Sequence, residues 1–221
     1  MIEALLQPPA VPVEAFTDIP GERPLPAEEP LIARAVESRR REFVTGRRCA
    51  RQALARLGLP SAPVLAGARH EPRWPLGVVG SITHCEGYRA AAVARTADLA
   101  ALGIDAEPHG PLPAGVLELV TTADEPDRLA DLSRAYPATH WDRLLFSAKE
   151  SVYKAWYPLT ARWLGFEDAR LSFDPVTHTF AARILVDGTR VDGGPPLREL
   201  AGRYIVSRGL VVTAVSIGLS A

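Results

Sequence analysis

Apolar residues recur at helical spacing in separate parts of the chain, and each part is followed by short segments rich in β-branched residues. The first helical pattern covers residues 31–57 and stops at Gly58, with Pro60 two positions further on, as helices commonly end. The remaining patterns predict helices at 113–135 and 140–157, and strands at 76–82, 88–95, 99–107, 169–174, 179–187, 203–208 and 210–218. Residues 8–30 are rich in proline and acidic side chains and are predicted to be irregular.

The order of these elements predicts the fold class. Helices followed by strands, twice in succession, are typical of an α+β protein and not of alternating βαβ units with a parallel sheet. We therefore predict two similar α+β halves, residues 1–103 and 104–221, which divide near Gly103. The sequence contains no clear internal repeat, so this division rests on element order alone.

The overall composition is that of a globular chain without a strong net charge. Its 221 residues are 47% hydrophobic, enough for a substantial core, and the formal net charge is -1. A near-neutral charge argues against bulk attraction to nucleic acid or to an anionic membrane, so an anion site must come from local clustering. The N-terminus lacks a secretory pattern, and the longest apolar stretch, 209–219, is too short for a membrane helix. We expect a cytoplasmic protein in which Cys49 and Cys85 are reduced and inert.

The helix predicted around residues 141–156 carries the most informative pattern. At about 100° per residue, its apolar side chains fall on one arc and predict the core face: Trp141, Leu144, Leu145, Ala148, Val152, Ala155 and Trp156. The opposite side presents four polar side chains: Lys149, Glu150, Tyr153 and Lys154. These are the chain's only two lysines, and such a face could hold a metal ion and a phosphate. A solvated face with a Glu150–Lys154 pair explains the same pattern.

Two strand ends carry further polar groups. Asp105 and Glu107 alternate with apolar residues and so point to one face of their strand, where two carboxylates would suit Mg²⁺. Edge strands near solvent often carry such a pair without binding a metal. Ser81, Thr83 and His84 follow Gly80 at another strand end and offer hydroxyls and an imidazole to an anion. A turn with a hydrogen-bonded histidine would look similar.

Positive charge is concentrated in the first predicted helix. Residues 34–56 contain eight arginines and two glutamates, in a chain of net charge -1. Arginine binds phosphate in a bidentate manner. A solvent-facing helix side accounts for most of these residues, and we expect only two or three of them to reach a ligand.

Taken together and in this order, the motifs are similar to the paired signature of the 4′-phosphopantetheinyl transferases. The signature consists of Gly-Ile-Asp-Ala-Glu at residues 103–107 and Phe-Ser-Ala-Lys-Glu-Ser-Val-Tyr-Lys at residues 146–154. The resemblance covers about residues 28–218 and is greatest to the monomeric, actinobacterial type that activates nonribosomal peptide and polyketide synthases. One departure is Ala66, where the family often has a lysine, and Arg69 is the candidate replacement.

The resemblance implies a pseudo-twofold fold with the active site between the halves, and it implies a role for individual residues. Three carboxylates would bind Mg²⁺, or Mn²⁺, with the pyrophosphate of coenzyme A: Asp105, Glu107 and Glu150. Glu150 is the first candidate for deprotonating the acceptor serine, and Lys154 would lie nearest the leaving group. Coenzyme A would be held by a wider set: Arg39, Arg47, Ser81, Thr83, His84, Lys149 and Lys154. Within that set, the 3′-phosphate falls to Arg39, Arg47 and His84.

The implied reaction moves 4′-phosphopantetheine to a serine of an acyl or peptidyl carrier protein and releases 3′,5′-ADP. We expect a monomer that acts on carriers of polyketide, peptide or fatty-acid synthases, through exposed positions such as Leu117 and Leu119 in residues 109–140. Another Mg²⁺-dependent phosphoryl-transfer or nucleotide-hydrolysing enzyme could use the same carboxylates. A nucleic-acid-binding role for the basic helix fits poorly with the near-neutral charge.

Overall fold

The computed structural model describes residues 1–122 and 124–219. The first part of the chain forms, in order, α1 (Ile2–Leu5), β1 (Val11–Ala15), α2 (Glu37–Arg56), β2 (Leu65–Ala66), β3 (Pro72–Arg73), β4 (Val78–Cys85), β5 (Tyr88–Arg95) and β6 (Leu99–Pro108). The second part forms α3 (Val116–Val120), α4 (Glu125–Ala135), α5 (Trp141–Thr160), β7 (Ala169–Asp174), β8 (Thr179–Ile184), β9 (Glu199–Ser207) and β10 (Leu210–Gly218). Within the described residues, no helix combines the length and the apolar character needed to cross a bilayer.

Each half of the chain packs one long helix on an antiparallel sheet. Helix α2 covers the sheet β1-β5-β4, and α5 covers the sheet β6-β10-β9-β8-β7. The apolar arc predicted for α5 is fully buried against its sheet, with Trp141 2% exposed and Trp156 0% exposed. The α+β prediction is therefore confirmed.

The two sheets meet along β4 and β6. Their apolar side chains form one shared cluster, to which Ala90 and Ala92 of β5, Ile104 of β6 and Val212 of β10 contribute. This shared cluster fixes one half of the molecule against the other. The boundary predicted near Gly103 falls inside β6, and a division of the chain at that point stays a prediction.

Three element predictions need correction. Residues 8–30 are not wholly irregular, because β1 pairs with β5 at the edge of its sheet, where Pro12 is tolerated, and Pro26–Ile32 forms a 3-10 helix. The first long helix begins at Glu37, since Val36 is extended. The helix predicted at 113–135 is divided into α3 and α4, because Thr121 is extended and Pro126 starts a new helix.

Candidate active site

Helix α5 lies unusually close to β6 because residue 103 is a glycine. A Cβ atom added at Gly103 would lie 1.9 Å from the backbone oxygen of Ser151 and 2.7 Å from the backbone nitrogen of Ala155. Any side chain at this position would therefore push the helix away. The contact places the polar edge of α5 beside the carboxylates of β6.

Asp105 occupies the centre of this contact. Its side chain is almost completely buried, and its Oδ1 accepts hydrogen bonds from Lys154 Nζ at 2.7 Å and from Thr83 Oγ1 at 3.3 Å. Among the described residues, nothing donates a hydrogen bond to the buried Oδ2. An unpartnered carboxylate oxygen is costly to bury, so this atom suits a cation.

Two further carboxylates are held near Asp105 at an electrostatic cost. Burial, followed by repulsion from Asp105, raises the pKa of Glu107, and Arg143 opposes this shift through a 3.0 Å hydrogen bond from its NH1 atom to Glu107 Oε2. Burial also raises the pKa of Glu150. The positive charge of Lys154 lowers this pKa, and the negative charge of Asp105 raises it. The three carboxylates thus form a site that favours added positive charge.

The donor chemistry fits a hard divalent ion, although the side chains are not arranged as a complete cage. Within residues 1–122 and 124–219, no group of three or more histidine, cysteine, aspartate and glutamate side chains is close enough to hold a metal by itself. Mg²⁺ commonly uses one or two carboxylates and completes its shell with water and substrate phosphate. The unpartnered Oδ2 of Asp105 meets that requirement.

A cavity of about 500 Å³ opens next to these groups. Glu150 and Lys154 line it together with the aromatic side chains Trp74, Tyr153 and Tyr157. Trp74 is fixed by a 2.9 Å hydrogen bond from its indole Nε1 to the backbone oxygen of Gly80. The cavity combines a charged end with an apolar wall, as expected for a ligand that has a phosphate and a long organic arm.

A second cavity of about 430 Å³ contains the predicted phosphate-binding residues of the first half. Arg39, Arg47 and His84 line this cavity. His70, Pro72 and Ile82 border both cavities, which therefore lie side by side, and we call the two cavities together the groove. Of the predicted site residues, six line these cavities: Ser81, Glu150 and Lys154 the first, and Arg39, Arg47 and His84 the second.

Arg47 is almost completely buried in the second cavity. Its Nε donates a 2.7 Å hydrogen bond to the backbone oxygen of Val64, and its guanidinium carbon lies 4.5 Å above the ring of Phe43. Burial lowers the pKa of Arg47 to about 10, so the side chain stays positively charged at neutral pH. A rigid buried cation of this kind is suited to an anionic ligand.

His84 reports the positive potential of this cavity. Arg39 donates a hydrogen bond to the imidazole ring of His84. Burial lowers the pKa of His84 to about 3, and nearby cations add to the effect, in the order Arg39, Lys154, Arg89 and Arg47. The ring is therefore neutral at neutral pH, and the cations around it can attract an anion.

The neutral state of His84 predicts a pH-dependent stability. Between the folded pKa of about 3 and the ordinary value near 6.5, the unfolded chain binds a proton that the folded chain does not. This contribution to the free energy of unfolding is present above about pH 6.5 and is lost as the pH falls towards 3. Thermal unfolding of the wild type and of His84→Gln at about pH 7.5 and about pH 5 should show a smaller loss for the variant. Equal losses of thermal stability in the two proteins would contradict this account. The raised pKa values of Glu107 and Glu150 have the opposite effect on stability, but both residues are present in both proteins, so their effect cancels in the comparison.

Ser81 and Thr83 lie in the seam between the two sheets. Both are buried, and their hydroxyl oxygens accept hydrogen bonds from the backbone N–H groups of Ile104, at 3.1 Å, and Ala106, at 3.0 Å. Ser81 also borders the first cavity. The structure thus engages both hydroxyls in holding β6, and Thr83 additionally orients Asp105.

The prediction that Lys149 projects from α5 beside Glu150 and Lys154 is wrong. Lys149 is 3% exposed, and its Nζ donates hydrogen bonds to Glu125 Oε2 and to the backbone oxygen of Phe166, both at 2.8 Å. Burial lowers the pKa of Lys149, and Glu125 opposes this shift. Consecutive helical residues lie about 100° apart, so Lys149 and Glu150 face different neighbours.

Arg143 is a site residue that the sequence did not single out. Besides its bond to Glu107, it donates a 3.2 Å hydrogen bond from Nε to the backbone oxygen of Gly110 and a 2.7 Å hydrogen bond from NH2 to that of Pro111. Arg143 precedes Glu150 by seven residues, which is close to two helical turns. That spacing is the signal that could have placed Arg143 on the same side of α5 as Glu150.

Comparisons with known proteins give matches over most of the chain. A family model described as the 4′-phosphopantetheinyl transferase N-terminal domain matches residues 27–94, and one described as the 4′-phosphopantetheinyl transferase superfamily matches residues 101–192. The 4′-phosphopantetheinyl transferase Svp of Streptomyces mobaraensis is 55% identical over 224 residues, which cover 100% of this chain and 91% of that protein. PptT of Mycobacterium tuberculosis is 55% identical over 207 residues (91% and 89%). Npt of Nocardia iowensis is 48% identical over 224 residues (98% and 99%).

Proposed function

The chain belongs to the 4′-phosphopantetheinyl transferase superfamily, and we propose that Asp105, Glu107 and Glu150 form the centre at which its transfer reaction takes place. The protein is a transferase that moves the 4′-phosphopantetheine moiety of coenzyme A to a serine of a carrier protein. The unpartnered Oδ2 of Asp105, whose other oxygen is hydrogen-bonded to Lys154 in the wall of the first cavity, is the observation that carries the assignment of the centre.

Mg²⁺ is the metal that we assign to this centre, with Mn²⁺ as a substitute. Asp105 would hold it through Oδ2, with carboxylate oxygens of Glu150 and Glu107 beside it. When bound, the metal would neutralise charge on the pyrophosphate oxygens of coenzyme A. Arg143 would keep one oxygen of Glu107 in place while the other takes part in binding.

The chemical step needs a base, a fixed cation and a shaped groove. Glu150, whose pKa is raised, is suited to accept the proton of the serine hydroxyl. The serine oxygen forms a bond to the phosphorus that carries pantetheine, the bond from this phosphorus to the bridging oxygen breaks, and 3′,5′-ADP leaves. Lys154 Nζ, which Ile104 and Asp105 hold in place, stabilises the negative charge that develops on that leaving group.

The adenosine end of coenzyme A lies in the second cavity in this proposal. Arg39 and Arg47 would bind the 3′-phosphate, with His84 as a neutral hydrogen-bonding partner. Ser81 and Thr83 also support β6. The hydroxyl of Thr83 both accepts from Ala106 and donates to Asp105, whereas Ser81 borders the first cavity with its own O–H still available and stays in the proposed cofactor-binding set. Lys149 is removed from the phosphate-binding set because of its buried contact with Glu125.

Loss of Arg47 should weaken the use of coenzyme A by about ten- to a hundredfold, because a charge-assisted hydrogen bond contributes about 1.5–3 kcal/mol. Dephospho-coenzyme A lacks the 3′-phosphate, so Arg47→Ala should lower kcat/KM for this cofactor much less. The ratio of kcat/KM for coenzyme A to that for dephospho-coenzyme A should therefore be smaller in the variant than in the wild type. The comparison of kcat/KM for the two cofactors removes any effect of lost stability, which affects both equally.

Arg41→Ala is the matched control for the Arg47 variant. Arg41 lies on the same helix, its side chain is 50% exposed, and it pairs at 3.5 Å with Glu37. It should leave both kcat/KM values unchanged. An equal loss on both cofactors in Arg47→Ala would remove Arg47 from the 3′-phosphate site.

The acceptor is proposed to be an acyl or peptidyl carrier protein of a polyketide, peptide or fatty-acid synthase. Leu119 of α3, with 73% of its surface exposed, lies in the segment 109–140 that we assign to this contact.

We propose a monomeric enzyme, since both ends of the groove come from one chain. The division into residues 1–103 and 104–221 is likewise kept as a proposal, as is a cytoplasmic location, where coenzyme A meets newly made carriers.

Intact-mass spectrometry tests the proposal as a whole. A purified apo carrier protein, incubated with the enzyme, coenzyme A and Mg²⁺, should gain one phosphopantetheine group on its serine. The same carrier with that serine replaced by alanine should gain nothing. Cleavage of coenzyme A at an equal rate without any carrier would instead favour a nucleotide-hydrolysing enzyme.

A further inference from the structure

The contact between Lys149 and Glu125 is a buried ion pair outside the groove. Lys149 is 3% exposed and Glu125 is 1% exposed, and Lys149 Nζ lies 2.8 Å from Glu125 Oε2. Neither residue lines the cavities that contain Glu150 or Arg47. A buried pair of this kind needs an explanation, because removing two charges from water costs several kcal/mol per ion.

Glu125 joins three segments that are distant in the chain. Its Oε2 also accepts a 2.7 Å hydrogen bond from the backbone N–H of Thr122, just after α3, and its Oε1 accepts a 2.6 Å hydrogen bond from the backbone N–H of Leu171 in β7. Lys149 adds α5 and, through Phe166, the 3-10 turn that precedes β7. The pair therefore fixes the start of α4, and with it α3, to the catalytic helix.

Helix α3 relies on tertiary contacts for its position. Val120 is buried, Val116 and Leu117 are partly buried against the same core, and Leu119 is exposed, so the prediction that Leu117 is exposed is wrong. A helix of five residues is marginal without such contacts. The Glu125 junction, which follows α3, adds a polar anchor to this apolar packing.

We propose that Lys149 is a positioning residue that, through Glu125, docks α3 and α4 onto α5 and so presents the carrier-binding surface. The inference rests on the proposed function, since it assigns a use to the segment facing the carrier. Lys149 then affects recognition of the carrier and not binding of coenzyme A. Two single variants and their combination separate the two roles: Lys149→Met, Glu125→Gln and the double variant.

Each single variant should raise the KM for the carrier protein about tenfold and leave the KM for coenzyme A within about twofold, because each leaves one partner of a buried ion pair without its counterpart. The double variant contains no buried charge at this junction, and the glutamine introduced at position 125 would keep a carbonyl acceptor for the N–H of Leu171. Its KM for the carrier should return to within about threefold of the wild type. Arg41→Met is the control for losing a positive charge, because Arg41 lies outside the segment 109–140, is 50% exposed and pairs at 3.5 Å with Glu37. Both KM values should stay unchanged in this variant.

A KM for coenzyme A that rises about tenfold in both Lys149→Met and the double variant would overturn the proposal and return Lys149 to the phosphates. Unchanged KM values in Lys149→Met would overturn it as well. If a single variant does not fold, the KM values of the double variant for the carrier and for coenzyme A decide between the two roles of Lys149. A wild type that fails to load any carrier would instead refute the proposed function, so the two failures are distinguishable.

Discussion

Replacing Asp105 with asparagine should lower kcat by at least about a hundredfold while leaving the protein folded. Asparagine has the shape of aspartate and retains an oxygen to accept the hydrogen bonds from Lys154 and Thr83. It lacks the negative charge, and it directs an N–H group to the place of the unpartnered Oδ2, where a cation is required. The rate is measured as carrier loading at saturating Mg²⁺, with far-ultraviolet circular dichroism as the check on folding.

Asp187→Asn is the control for Asp105→Asn. Asp187 lies outside the segment 109–140, is 65% exposed and forms a surface pair with Arg162, so its neutralisation should leave turnover unchanged. Near-normal turnover of Asp105→Asn, with Mg²⁺ still required, would remove Asp105 from the centre of the site.

Replacing Gly103 with alanine should have the second large effect. The new Cβ would lie 1.9 Å from the Ser151 oxygen, a contact with backbone that no change of rotamer relieves. Overpacking of this kind costs about 1–3 kcal/mol or more, and α5 must move away from β6. A displacement of about 1 Å at a catalytic group can cost about a hundredfold in rate. We therefore expect both a lower melting temperature and a fall in kcat of that order.

Gly218→Ala is the matched glycine control. Gly218 lies outside the segment 109–140, a Cβ added there meets nothing within 4 Å, and its backbone is not in the left-handed region, so neither stability nor kcat should change. Should Gly103→Ala retain full activity, the close approach of α5 to β6 would not be needed for the geometry of Asp105 and Lys154.

The apolar pattern was sufficient to predict most of the secondary structure. The arc from Trp141 to Trp156 is buried as predicted because helical periodicity alone determines which side chains share a face. Strand β1 was missed because its pairing with β5 is a long-range contact, and Pro12 made the segment look like a loop. Local patterns predict elements, whereas pairing partners depend on the rest of the fold.

The candidate site was predictable only in part. The sequence singles out the carboxylates and Lys154, whose role at the site stays a prediction. Which polar residues face the groove depends on packing that the sequence pattern does not determine. Lys149 looks solvent-facing in a helical projection, yet it is buried against Glu125. The sequence pattern of α5 does not show this contact, because Glu125 belongs to a different helix. The sequence also does not show that the hydroxyls of Ser81 and Thr83 accept hydrogen bonds from the backbone of β6, because β4 and β6 become neighbours only in the folded chain.

The two hydroxyls of Ser81 and Thr83 also bear on how the two sheets are joined. The backbone N–H groups of Ile104 and Ala106 donate to these side chains and not to the backbone of β4. Strands β4 and β6 are neighbours without being paired, so the three-stranded and five-stranded sheets do not merge into one continuous eight-stranded sheet. Two side-chain hydroxyls thus form a polar join between the halves where a backbone ladder would otherwise run.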